Sequence, residues 1–191
     1  MTRIIAGTAA NVRLQVPARG TRPTSDKVRE ALFSSLDAAF DFADARVLDL
    51  YAGSGALGLE AVSRGASSAV LVERAASAAR LTAANADAVA ARAPSARVEA
   101  VASPVRRYLE GRAETAAGEF DLVFIDPPYD LPDAEIAADL AALRPLVSPD
   151  ALVVVERATR RGPLDLPAGW GLWRRREYGD TALDLLEPVD G

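Results

Sequence analysis

The chain contains neither cysteine nor histidine. Without cysteine there are no disulfides and no thiolate nucleophile; without histidine there is no imidazole base. Catalysis here must use carboxylates, amines, backbone dipoles or positioning alone. No stretch approaches 18 consecutive apolar residues, and the amino terminus lacks the apolar core of a signal peptide. A cytoplasmic protein without a membrane partner is therefore expected. Lysine is nearly missing as well: 22 basic residues comprise 21 arginines and Lys27.

With 191 residues, half of them hydrophobic and 26% charged, the composition is that of one well-buried soluble domain, with room for a small appendage. The net charge of −5 argues mildly against a polyanionic partner, but its distribution argues the other way. Residues 1–30 carry six cations (Arg3, Arg13, Arg19, Arg22, Lys27 and Arg29) against Asp26 and Glu30. That is net +4, so the remainder carries −9. A basic arm on an acidic body is the expected organisation. Further arginines group at Arg106–Arg107, Arg160–Arg161 and Arg174–Arg176.

Residues 3–17 read as a strand, a turn at Gly7 and a second strand from Val12 to Val16. A helix follows, with Thr24 to Asp26 as cap and acidic first turn and Val28, Ala31, Leu32, Ser35 and Leu36 recurring at helical spacing. From there strands alternate with helices. Strands are expected at 46–51, 68–73, 96–101, 120–125 and 151–156. Helices are expected near 56–64, 75–92, 103–111 and 133–145. Near-continuous apolar strands alternating with helices imply an α/β fold with a parallel sheet covered on both faces. At the end, Trp170–Tyr178 and Thr181–Leu186 flank Gly179-Asp180 and read as an antiparallel hairpin. The expected division is a basic β-hairpin extension over 1–20 and a catalytic domain over 21–191.

Arg46 to Gly58 reads as a strand, a glycine-rich turn and a helix start. Gly53, Gly55 and Gly58 match G-x-G-x-x-G, and Glu73 lies twenty residues after Gly53 at the end of the next strand, as in dinucleotide-binding proteins. Two features turn the reading toward S-adenosylmethionine. Asp49 ends the first strand, where a carboxylate would repel a pyrophosphate and attract a cationic aminoacyl sulfonium. The second is the tetrapeptide Asp126-Pro127-Pro128-Tyr129, which a hydride-transfer enzyme would have little use for. Glu73 suits the ribose diol of either cofactor. Asp49 has an alternative role as a buried, hydrogen-bonded or capping acid.

The tetrapeptide follows the apolar run Phe120–Ile125. Its prolines remove two backbone donors and fix φ near −65°. A carboxylate, a free carbonyl and a flat ring are thereby presented at one stiff edge. That set suits a planar base with an exocyclic amino group: the ring stacks on Tyr129, and the amino hydrogens go to Asp126 and the Pro127 carbonyl. Such hydrogen bonds hold the nitrogen and favour pyramidalisation, turning its lone pair toward an electrophilic methyl. Near-attack positioning of this kind supplies roughly 7–11 kcal/mol. The methylated ammonium is acidic enough to need no strong base, which accommodates the missing histidine. The missing cysteine excludes C5-pyrimidine methylation through a thiolate adduct.

These residues carry a resemblance. Arg3-Ile-Ile-Ala-Gly7, the block Arg22 to Phe33, the stretch Asp49 to Gly65, Val72-Glu73-Arg74 and the Asp126 tetrapeptide, in that order, resemble the RsmD family of bacterial rRNA methyltransferases. That family modifies a guanine N2 of 16S rRNA with S-adenosylmethionine. The glycine loop and tetrapeptide mark amino-methyltransferases generally; the Arg22–Phe33 block is the more family-specific. The resemblance implies a class I methyltransferase fold, with a seven-stranded, mostly parallel sheet and a C-terminal antiparallel hairpin. It implies that Asp49, Gly53 and Gly55 line the methionine part of the cofactor and Glu73 its ribose, that Ala52, Ser54 and Arg74 also belong to the cofactor site, and that Thr24 with the following helix start receives its carboxylate. Ser103 stands where a polar side chain commonly contacts the adenine. Asp126, Pro127, Pro128 and Tyr129 would hold the guanine, and Arg3, Arg13, Arg19, Arg22 and Lys27 the rRNA phosphates. The expected partner is 16S rRNA in an assembling or assembled 30S particle, and no metal is expected. The alternatives are an amino-methyltransferase acting on DNA adenine N6, cytosine N4 or a protein glutamine, a dinucleotide-dependent oxidoreductase, and a non-catalytic RNA-binding module that retains the fold.

Overall fold

Residues 2–16, 26–112 and 117–190 are described in a computed structural model. Two very short strands, β1 (Thr2–Arg3) and β2 (Arg13–Leu14), pair antiparallel and precede helix α1 (Asp26–Asp37). The alternating part follows: β3 (Arg46–Leu50), α2 (Ala56–Arg64), β4 (Ser68–Glu73), α3 (Ala76–Ala90), β5 (Arg97–Ala102), α4 (Val105–Arg112), β6 (Phe120–Ile125), α5 (Asp133–Leu143) and β7 (Val147–Ala158). A 3-10 turn at Thr159–Arg161 leads toward β8 (Trp170–Tyr178) and β9 (Thr181–Pro188).

The main sheet has seven strands in the order β5-β4-β3-β6-β7-β9-β8. β3 through β7 run parallel, and β9 enters antiparallel between β7 and β8. Successive side chains on a strand face opposite ways, and the core divides accordingly. Val47, Leu122, Phe124, Val154 and Leu185 pack under α1, α2 and α3 on one face. Leu48, Leu50, Val123, Ile125, Val153 and Leu186 pack under α4 and α5 on the other. Both faces being covered explains why these strands read as continuous apolar runs.

The strand order reverses beside β3, whose neighbours are β4 on one side and β6 on the other. In open α/β sheets such a switch point, at the carboxyl ends of the strands, is where ligands bind. Leu50 stands opposite Ile125, so the glycine loop leaving β3 and the Asp126 corner leaving β6 emerge side by side.

The amino-terminal hairpin is riveted to the body. Ile4, Ala9 and Leu14 belong to the same core cluster as α1 and α2. The buried Glu60 carboxylate accepts the backbone N–H groups of Ile5 (2.7 Å) and Ala6 (3.0 Å). Ser63 takes the Ala9 N–H at 2.9 Å and donates to the Ala6 carbonyl. The second strand, expected over Val12–Val16, pairs only at Arg13–Leu14, because the side chain of Asn85 takes both backbone groups of Gln15. β7 begins at Val147, four residues before the expected Ala151: Phe120 pairs with Val147 but Leu122 with Leu152, a register shift that apolar patterning does not reveal.

Candidate active site

The glycine loop must turn sharply from β3 into α2, and its backbone shows how. Tyr51, Gly53 and Gly55 all have positive φ (63°, 55° and 76°). Glycine adopts that conformation at little cost, whereas tyrosine needs support. The support is Asp139 of α5, which is buried and accepts the Tyr51 hydroxyl at 2.5 Å and a forked pair of bonds from Arg106 at 2.6 and 2.9 Å. Burial and the Asp139 carboxylate push the Tyr51 phenol well above its ordinary pKa, so the hydroxyl stays a donor.

Neighbouring elements satisfy further groups of the loop backbone. Glu73, ending β4, accepts the Gly53 N–H at 3.1 Å and the Ala75 N–H at 2.8 Å. From α3, Thr82 donates to the Gly53 carbonyl at 2.6 Å and Asn85 to the Ser54 carbonyl at 2.8 Å. Sequence reasoning missed Thr82 and Asn85. Two adjacent-turn polar side chains in an otherwise alanine-rich helix were the available signal.

Asp49 shares the orientation of Val47, pointing toward α2. Gly55 caps that helix without a side-chain bond, and Asp49 supplies what is missing by accepting the Gly58 N–H at 2.9 Å. An anion at a helix amino terminus is stabilised by the unpaired N–H groups there. Even so, burial, helped by the negative charges of Asp126 and Glu73, raises the Asp49 pKa to about 7 against the Gly58 hydrogen bond. A Cβ at Gly58 would stand 2.4 Å from Leu71 Cδ2 and 3.1 Å from Asp49 Cβ, so any other residue there has to displace the buried Leu71 side chain.

At the other wall, Asp126 and Pro127 are half-buried while Pro128 and Tyr129 are exposed. The Pro128 carbonyl takes the Leu131 N–H at 2.9 Å. Tyr129 is 49% exposed and points away from the core. Its partners come from the 3-10 turn after β7. The Arg160 guanidinium lies 4.6 Å from the Tyr129 ring centroid and donates to its hydroxyl at 3.1 Å. Arg161 donates to the Tyr129 carbonyl at 3.1 Å and the Leu131 carbonyl at 2.8 Å. Asp133 anchors this side through Arg161 and Arg157; burial alone would raise its pKa, but those two guanidiniums outweigh it and hold it low. Sequence reading placed Arg160 and Arg161 only in one of several arginine groups and missed this brace.

Other expected site residues fall as follows. Ala52, Ser54 and Arg74 lie on the glycine loop or just after β4, with Arg74 exposed. Ser103 follows β5; its N–H donates to the Glu73 carbonyl at 3.0 Å and its hydroxyl to the Pro104 carbonyl at 3.1 Å. Arg3, Arg13 and Lys27 are exposed. Thr24, Arg19 and Arg22 lie outside the described residues. Arg29, counted in the basic arm, is instead 2% exposed and donates to the Arg3 carbonyl and Asp26.

The donor set suits a cationic amino-acid ligand carrying a sugar. The carboxylates of Glu73 and Asp126 both lie within electrostatic reach of Asp49, and a nearby positive charge relieves that repulsion. A carboxylate has about four lone-pair positions, so Glu73 keeps acceptor capacity for a diol beyond its two backbone partners.

The family described as Conserved hypothetical protein 95 matches residues 2–187. Ribosomal RNA small subunit methyltransferase D of Escherichia coli K12 is 36% identical over 186 residues, covering 97% of this chain and 89% of that protein. The chain belongs to the RsmD family. Within it, the protein of the same name from Haemophilus influenzae is 33% identical over 97% of this chain and 93% of its own length. Among solved structures, a hypothetical protein of Thermus thermophilus superposes with a TM-score of 0.77 at 38% identity, covering 98% of this chain and 99% of that one. More distantly, SMU.776, crystallised with SAH, shares the fold at 13% identity and a TM-score of 0.65, over 83% of this chain and 49% of its own.

Proposed function

We propose that this protein uses S-adenosylmethionine to methylate rRNA, at the exocyclic N2 amino group of a guanine in 16S rRNA of the small subunit. The observation that carries the reading is the placement of the stiff Asp126–Tyr129 corner beside the glycine loop, at the adjacent carboxyl ends of β6 and β3. The full-length likeness to rRNA methyltransferases supports the RNA substrate. Bound in this site, the cofactor supplies a methyl group on a sulfonium.

The protein residues do the rest. Asp49, with one oxygen committed to Gly58, offers the other to the cationic part of the ligand, while Ala52, Gly53, Ser54 and Gly55 present backbone at close approach. Glu73 takes the ribose hydroxyls, flanked by Arg74; Ser103 lies where the adenine would end. Thr24 and the start of α1 receive the carboxylate. Asp126 and the Pro127 carbonyl accept the two amino hydrogens of the base, and Tyr129 stacks on its ring. A guanine buried in rRNA has to be swung out of its stack to reach them. Arg3, Arg13, Arg19, Arg22 and Lys27 take phosphates; the first three make residues 1–20 an RNA-contacting extension of the catalytic domain at 21–191, which adds Arg22 and Lys27. The acidic body suits a substrate presented within an assembling 30S particle, whose proteins add contacts of their own.

Mass-spectrometric mapping of methylated nucleosides, on rRNA from a strain lacking the protein and after treatment in vitro, tests the reading. N2-methylguanosine should be lost in the one and restored in the other. Asp126→Ala should abolish transfer while keeping cofactor binding. Methylation of adenine N6 or of a protein amide instead of guanine would sink it.

A further inference from the structure

Three arginines surround the outer side of the Asp126 corner, and they are not equivalent. Arg157 is buried and bonds to Asp133, with Asp184 at 3.8 Å. Arg161 bonds to Asp133 at 2.9 Å. Their charges are neutralised, and they brace the chain. Arg160 is exposed, and among the described residues it forms no ion pair. Its contacts are the Tyr129 ring at 4.6 Å and the Tyr129 hydroxyl at 3.1 Å.

We propose that Arg160 is a phosphate-binding residue for the swung-out nucleotide, held over Tyr129 so that the platform for the base and the grip on its backbone form one unit. The inference rests on the rRNA reading above and extends it to a residue outside the tetrapeptide. An aromatic ring has two faces. Arg160 covers one, as guanidiniums do on tyrosine, and that leaves one for a base. A nucleotide whose base lies against Tyr129 brings its own phosphates to the rim of the same corner. The unneutralised cation at that rim is a planar fork able to meet a phosphate with two parallel N–H bonds. Thr159, preceding Arg160, is tied at both ends: its N–H donates to Asp180 and its hydroxyl to Gly179. The turn is therefore fixed, and Arg160 is preset rather than drawn from a loose loop.

The test compares wild type with Arg160→Ala, Arg160→Lys and Arg92→Ala. Arg92 is exposed just after α3, at the opposite, amino-terminal end of the strands. The readouts are the affinity for an rRNA fragment containing the target, measured across a series of salt concentrations, and the affinity for S-adenosylmethionine. Losing one phosphate contact lowers the slope of log affinity against log salt by about 0.7–0.9. We expect that loss in Arg160→Ala, most of the slope kept in Arg160→Lys, and an unchanged cofactor affinity in both. A side chain that merely steadied Tyr129 would leave the slope untouched. If wild type methylates rRNA and Arg160→Ala keeps the full slope, or Arg92→Ala loses as much, the Arg160 assignment is overturned and the functional reading stands. If wild type methylates no rRNA, both fall together.

Discussion

The side chain of Asn85 hydrogen-bonds both backbone polar groups of Gln15, accepting its N–H and donating to its carbonyl, each at 2.9 Å. The same amide group donates to the Ser54 carbonyl at 2.8 Å. One buried residue of α3 thus joins the amino-terminal segment to the glycine loop. In Asn85→Ala these groups lose their partner, at roughly 1–3 kcal/mol for each that water cannot reach. Gln15 is exposed, so hydration recovers part of the loss there. Urea unfolding should show a destabilisation of about 2 kcal/mol, and cofactor affinity should fall because the Ser54 turn loosens. Stability reduced with cofactor affinity intact would show that the loop does not depend on this tie.

With Asp49 facing the cationic cofactor as proposed, stability and cofactor binding should depend on pH in opposite directions. Its pKa is about 7 in the folded chain against an ordinary 3.8. Between those values the native state holds a proton that the unfolded chain has released, so stability falls as pH rises through this window and levels off above it. Asp49→Asn removes that part of the slope. A cationic ligand favours the ionised carboxylate, so affinity for S-adenosylmethionine should rise as pH climbs toward about 7, with proton release on binding. Calorimetric titration in buffers of different ionisation enthalpy measures the proton directly. No proton release near neutrality would mean that Asp49 is already ionised or remote from the cation.

Much of this was legible in the chain because parallel strands buried on both faces are apolar over most of their length, and β3, β4 and β6 follow that pattern apart from Asp49, Asp121 and their polar ends. Gly53 and Gly55 announced themselves because their positive φ excludes most side chains. The proline pair at 127–128 stood out for the same kind of reason. What stayed hidden depends on partners distant in sequence. Nothing in the chain singled out Asp139, and Arg106 stood only in an arginine pair, yet Asp139 holds Tyr51 from 88 positions away and Arg106 holds Asp139 in turn. Nothing local to Glu60 shows that it receives the amino-terminal backbone. The end of the second strand was misjudged because a side chain, rather than a strand, takes the Gln15 backbone.

Gly7 separates steric from conformational cost. Its φ is +82°, and a Cβ there would stand 1.8 Å from the Ser63 carbonyl oxygen and 2.3 Å from its carbon. Backbone cannot yield as a flexible side chain can. Gly7→Ala should therefore lift the hairpin from α2, losing the Thr8 N–H bond to Ser63 at 2.7 Å, at a cost of at least about 3 kcal/mol. Gly179, at φ +59° in the terminal hairpin, has nothing within 4 Å of that position. Gly179→Ala should cost only the backbone term, about 1 kcal/mol. Equal thermal shifts in the two variants would rule out the clash as the cause.

Tyr51 takes its strained conformation for the sake of the turn, and Asp139 holds it there. Tyr51→Phe keeps the ring but leaves Asp139 with Arg106 alone. One buried hydrogen bond to a charged acceptor is lost, worth about 1.5–3 kcal/mol, and the glycine loop becomes freer to relax. Asp139→Ala does more, since it releases Tyr51 and Arg106 together; Arg106 is 40% exposed and rehydrates, so its share is small. Both variants should weaken S-adenosylmethionine binding, with the larger effect in Asp139→Ala. The double variant Tyr51→Phe/Asp139→Ala should be little worse than Asp139→Ala alone, because the shared bond can be lost only once. Additive losses in that cycle would show that Asp139 supports the loop by some route other than the Tyr51 hydroxyl.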